Sequence, residues 1–187
     1  MLSSREFVAR WGKEDTLVRL SPRCLERLAI LDEDKQFLSE AGLPEDAAPF
    51  LSFELAELEV LPTVADEWDL GRKFRRFRKL GSDGSGNPIA IDEDEQGEIV
   101  LLDHERRFAR TLMNTSIRQL AMSLLAFRTT IEDAQSAFGA EAFPDGKISK
   151  AAWSDLRKVL TIINPAAMKP NHFWFSELQV LDANGVI

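Results

Sequence analysis

From Leu80 to Asp103 the chain reads LGSDGSGNPIAIDEDEQGEIVLLD, two short β-branched runs each bounded by turn-forming residues. "PIAID" and "EIVLLD" are separated by "EDEQG", too short a connection for a parallel crossover, so the two runs predict an antiparallel hairpin. The loop before them, "GSDGSGN", is then a turn between strands. Gly84 and Gly86 are expected to supply positive φ, Asn87 tolerates it, and Pro88 begins a strand without a donor.

The same stretch fails as a ligand loop. A Walker phosphate loop places lysine and a hydroxyl after its last glycine, whereas Gly86 is followed by Asn87 and Pro88. A dinucleotide fingerprint needs a helix next, and a strand follows. "DEDEQGEIVLLD" does set Asp92, Asp94, Gln96, Gly97 and Asp103 near the positions of a calcium loop. Flanking strands instead of helices, and aspartate rather than glutamate at the last position, argue for a solvated acidic hairpin tip. No metal site is expected, and no cofactor.

Further strands belong to the same sheet. "FLSFELAELEVL" alternates apolar and acidic residues between Phe53 and Leu61, with Glu54, Glu57 and Glu59 toward the wet side. "KFRRFRKL" reads as another strand, and "RRFARTLMN" as a strand or an extended approach. Helices flank them. Ser3 and Glu6 form a capping box for a helix near residues 4–12. "SPRCLERLAIL" carries a short helical piece. "DEDKQFLSEAGLP" reads as a helix capped by Asp32 or Asp34 and stopped by Gly42. Ser116 and Gln119 suggest a second box opening the clearest helix, whose apolar stripe runs from Ile117 through Leu124 and Ile131 to Phe138. Ser149 starts another, with Trp153, Leu156, Leu160 and Ile163 inward, and "HFWFSELQVLDANG" is a last helix or strand. The order predicts an α+β fold: a single domain, a curved antiparallel sheet flanked by N-terminal and C-terminal helices. Residues 1–187 are expected to form that one domain, the part from about residue 140 being its helical C-terminal extension.

Catalytic chemistry has little to stand on. His104 and His172 lie in unrelated contexts, no G-x-S-x-G elbow exists, and Cys24 sits beside Leu25 and Leu28 as a small hydrophobe. No catalytic residue is assigned. One cysteine excludes an internal disulfide, and no run approaches the roughly 18 apolar residues of a membrane span. The N-terminus lacks the features of a signal peptide, so a cytoplasmic location without a membrane partner is expected.

Charge narrows the partner. A formal net charge of -8 and a pI near 4.9 disfavour general nucleic-acid binding and favour encounter with a basic protein. The exception is "GRKFRRFRKL", residues 71–80, whose cations and rings are the ingredients of a single-strand grip. Within an anionic surface the segment reads better as a strand guarding a sheet edge or pairing with the acidic strand around Glu57.

In order along the chain, "FLSEAGLP", "LGSDGSGNPIAID", "GEIVLLD", "MNTSIRQLAMSLLAF" and "FWFSEL" together resemble the SUKH superfamily, which unites bacterial immunity proteins with yeast cell-wall regulators. The fourth subgroup is the most similar, over Phe7 to about Leu181. Carried over by the resemblance are Leu43, Pro44, Gly81, Asp83, Gly86, Ile91, Asp92, Gly97, Asp103, Asn114, Ser116 and Trp174, most of them structural. The resemblance implies a non-catalytic protein that binds a cognate toxin domain, commonly a nuclease or deaminase, inside the producing cell. The surfaces expected to meet it are Glu54, Glu57 and Glu59 on the early strand, and Asp92, Glu93, Asp94 and Glu95 on the hairpin. An intracellular scaffold of the same fold is the alternative, followed by a single-strand binder using residues 72–79.

Overall fold

The computed structural model of the chain describes residues 2–12, 16–55 and 59–183, with side chains as far as Val180. An antiparallel meander organises it. Strands β3 (Asp46–Ala47), β4 (Leu51–Phe53), β5 (Phe77–Asp83), β6 (Pro88–Asp92), β7 (Glu98–Asp103) and β8 (Ala109–Asn114) pair in that order, and the sheet stays open. A two-stranded ribbon joins β1 (Leu17–Val18) to β2 (Leu43–Pro44). The fold is α+β, as the pattern of runs predicts.

Local chemistry explains most boundaries. In α1 (Ser4–Trp11) the Ser3 hydroxyl accepts from the Glu6 N–H, the Glu6 carboxylate accepts from the Ser3 N–H at 2.9 Å, and Gly12 closes the helix at φ +70. Short α2 (Pro22–Leu25) is capped by Ser21, and short α4 (Val64–Glu67) by Thr63. The helix α3 (Asp32–Glu40) has Leu31 at its cap without a side-chain bond, so neither Asp32 nor Asp34 caps it. Asp34 turns inward instead, its Oδ1 accepting from the Arg118 N–H at 3.2 Å in the first turn of α5 (Ile117–Phe138). A carboxylate there satisfies an orphan donor at the positive end of that helix. Burial still pushes the Asp34 carboxyl above its ordinary value, against the hydrogen bonds that lower it.

The Ser116–Gln119 box is half made. Ser116 Oγ accepts from the Gln119 N–H, but the Gln119 amide donates to the Ile163 carbonyl and so ties α5 to α6 (Lys150–Ile163). Along α5 the stripe is buried through Phe127 and at Ala134, while Phe138 at the end is half-exposed. The closing segment resolves as a helix, α7 (Phe173–Ala183).

Two strands differ from the periodicity. β4 ends at Phe53, although the Glu54 N–H still reaches the Leu80 carbonyl; Pro62 and Thr63 then return to pair with the other half of β5. Of the expected strand, residues 56–58, including Glu57, lie outside the described residues. In the basic segment, Arg72–Phe74 form a 3₁₀ turn and the strand starts only at Phe77, because Phe74 folds back onto Phe77 and Phe108, ring centroids 6.2 and 5.5 Å away.

β6 is buried at every position, which explains why "PIAID" shows no alternation. Ile89 and Ile91 face the main core, which gathers residues from Phe7 to Leu178, and Ala90 faces a smaller cluster with Val64, Phe77, Val100 and Leu102. In the turn before it only Gly86 takes positive φ, at +81; Gly84 does not.

Candidate protein-binding site

Each of the two acidic sets singled out by patterning sends residues to the basic segment, Glu54 from one and Asp92, Glu93 and Asp94 from the other. At one end of the sheet, Asp92 is fully buried, and its Oδ2 accepts from Arg110 Nε at 3.0 Å and Arg76 Nη2 at 3.1 Å. Its other oxygen, Oδ1, has no hydrogen-bond partner. Arg110 is held in turn by Glu98. Glu93 is almost as enclosed: Oε2 accepts from Arg78 Nε at 2.8 Å, and Oε1 accepts from the Ala29 N–H at 3.0 Å. The hairpin tip is therefore not a uniform solvated acidic loop. Asp92 and Glu93 are internal anchors, a correction to their expected place on the surface, because desolvated carboxylates are tolerated where cations and N–H donors meet them. Asp94 is exposed, with a 3.4 Å contact to Arg76, and Glu95 is exposed; Gly97 closes the turn onto the Asp92 carbonyl.

At the start of the sheet, Glu54 and Glu67 both accept from Lys79 Nζ, at 3.1 and 2.6 Å. Burial draws the Lys79 ammonium down, but those two hydrogen bonds outweigh it and hold the pKa above its ordinary value. Glu59 pairs with Arg23 at 3.0 Å, both side chains being largely in water. Three cations of the basic segment, Arg76, Arg78 and Lys79, are thus engaged by carboxylates, while Arg72, Lys73 and Arg75 are exposed. The exposed Arg23–Glu59 pair contributes little stability.

The calcium-loop pattern is dismantled by geometry. Asp92 pairs across from Glu98 and Asp103 from Ala109, so the first and last positions sit at opposite ends of β7, about 17 Å apart at strand rise. Asp103 caps the turn His104–Arg106 with two N–H bonds. Among the described residues no group of three or more His, Cys, Asp and Glu is placed to hold a metal ion. His104 Nδ1 lies 2.7 Å from Asn87 Oδ1, and His172 Nδ1 lies 2.6 Å from the Ala166 carbonyl.

The remaining motif residues have structural places. Leu43 is fully buried and, with Pro44, forms β2. Asp83 Oδ1 accepts from the Ser85 and Asn87 N–H groups, holding the turn that Gly86 completes. Asn114 and Trp174, sixty positions apart, meet in the core, where Trp174 Nε1 donates to Asn114 Oδ1 at 2.9 Å.

Two groups that were not among the expected site residues also act here. Arg110, on β8, supplies half of the charge around Asp92. Glu177, on α7, is pushed up to about 6 from an ordinary 4.5 by burial first and by the negative charge of Asp83 second. Below the unfolded value both states bind the proton; as pH rises through the folded value the native state must ionise a half-buried group, and stability falls. Glu177→Gln is expected to raise stability by on the order of 1–2 kcal/mol at pH 7.5 and to leave it nearly unchanged at pH 4.5, read from urea midpoints across pH.

No curated protein and no solved structure matches the chain. A protein-family model described as SUKH-4 immunity protein matches residues 3–181, nearly the whole chain. No helix among the described residues is long and apolar enough to cross a membrane. The chain belongs to the SUKH-4 immunity protein family.

Proposed function

We propose that this chain is a non-catalytic immunity protein, acting as one unit over residues 1–187 in the bacterial cytoplasm, that neutralises a toxin domain by binding it and covering its working surface. The observation that carries the reading is the family match over residues 3–181. A nuclease or deaminase domain is the partner whose chemistry fits best, since a groove that grips phosphates is basic and this chain carries a net charge of -8. With Asp92 and Glu93 internal, the carboxylates that remain outward, Asp94, Glu95, Glu54 and Glu59, steer the encounter. Glu57 is assigned to the same surface on sequence alone.

Co-expression with the C-terminal domain encoded by the neighbouring gene tests it: the chain should restore growth and co-purify with that domain, and continued toxicity with no complex would refute the reading. The Asp94→Lys, Glu95→Lys double variant should slow association about tenfold at low salt while leaving dissociation nearly unchanged, as measured by biolayer interferometry. A scaffold without a toxin partner would give no such complex. The single-strand reading retains only Arg72, Lys73 and Arg75, and titration with short oligonucleotides at low salt should give flat anisotropy.

A further inference from the structure

At the other end of β5 and β6 from the acidic tip, a large apolar side chain stands in water. Phe50 is 77% exposed and occupies the tip of the β3–β4 hairpin. Leu51 pairs with Asp83, so this tip lies against the β5–β6 turn. A Cβ on Gly84 would come 3.1 Å from Phe50 Cβ, so the bare glycine lets the two tips lie close together.

Clefts flank the hairpin on both sides. One, of about 340 Å³, is walled by Trp11, Ala48 and Ile131, with Glu45, Asp46 and Glu132 on its margin. The other, of about 500 Å³, runs under Phe50 past Leu51, Ser52 and Phe143, with Asp46 and Asp83 on its margin. Arg128 is the cation among the described residues lining either cleft, and it is engaged, its Nε donating to Glu132 at 2.7 Å and its guanidinium stacking 4.3 Å over the Trp11 ring. Glu177 adds its carboxyl near Asp83.

We propose that the Phe50 tip is the docking anchor for the toxin domain: the ring enters the slot where a nucleobase stacks, and the exposed Glu45 and Asp46 meet the cations that otherwise hold phosphates. This rests on the toxin-binding reading and adds which surface does the binding. An exposed aromatic with an acidic rim is complementary to one kind of partner, a cationic groove with an apolar floor, and that is the anatomy of a single-strand nucleic-acid site. The distant carboxylates at Asp94 and Glu95 raise the encounter rate; the ring sets how long the complex lasts.

Biolayer interferometry against the toxin domain encoded by the neighbouring gene tests the anchor. Phe50→Gly removes the ring at a φ of +60 that glycine adopts freely, so the variant should melt no lower than the parent while binding about 100-fold more weakly, mostly through faster dissociation. Phe50→Tyr should bind within about threefold. Asp46→Lys should slow association about tenfold at low salt. The parent chain should displace a short mixed-sequence oligonucleotide from the toxin domain. If Phe50→Gly binds within about threefold of the parent, the anchor is wrong and toxin binding stands. If the parent forms no complex, both fall. If light scattering finds that Phe50→Gly turns a dimer into a monomer, the face serves self-association and the proposal is overturned.

Discussion

Replacing Trp174 with alanine is expected to lower stability by about 3–5 kcal/mol, the range for deleting a buried tryptophan. Its side chain is fully buried between Phe127 and Phe173, ring centroids 5.9 and 4.9 Å away, and it joins α7 to the sheet and to α5. Truncation also orphans a polar group. Asn114 is itself fully buried, with its amide nitrogen donating to Ser123 Oγ at 3.2 Å, and without the indole N–H its Oδ1 loses its partner. Trp174→Phe keeps most of the packing and removes the donor, so its cost should fall to about 1–3 kcal/mol. Urea unfolding of the two variants separates the contributions, and equal midpoints for Trp174→Ala and the parent would mean that α7 contributes nothing to the fold.

Gly81→Ala is the second large effect. A Cβ at this position would lie 1.9 Å from the Ser52 carbonyl oxygen and 2.8 Å from Phe53 Cα, both backbone atoms of β4 that no rotamer change can move. Gly81 also sits where the β5–β6 register shifts after Lys79, so β5 cannot simply translate away. The expected cost is about 3 kcal/mol or more, paid as separation of β3 and β4 from the sheet. Hydrogen exchange should report it as faster exchange at the Phe53 and Glu54 amides, which otherwise bond to Glu45 and Leu80, with β6 and β7 still protected. Because β3 and β4 carry Phe50, the same variant should weaken toxin binding.

Local patterns announced the elements whose causes are local. The β6–β7 hairpin, α1 with its reciprocal cap, and the buried part of α5 follow from turn residues and 3.6-residue spacing. What patterning could not supply was the set of partners brought in from afar. Asp92 belongs to a run of turn-forming carboxylates, and only the approach of Arg76 from the turn before β5 and Arg110 from β8 makes it an internal residue. Asp34 sits where an N-cap is expected for its own helix yet serves the start of α5, eighty-four positions away. The basic segment was legible as charge but not as shape, since Phe74 prefers the aromatic cluster with Phe108 to a place in the strand. Phe50 is the plainest case. In the sequence it is one more apolar residue at the head of an alternating run, and its exposure follows from the chain reversing at the hairpin tip.

The proposed function requires neutralisation by stoichiometric occupation. Titrating the purified chain into the active toxin domain of the neighbouring gene, with the toxin's own catalytic rate as the signal, tests it directly. The rate should fall linearly and vanish at one equivalent. A rate untouched by excess chain, or one abolished by a small fraction of an equivalent as a catalyst would do, contradicts it.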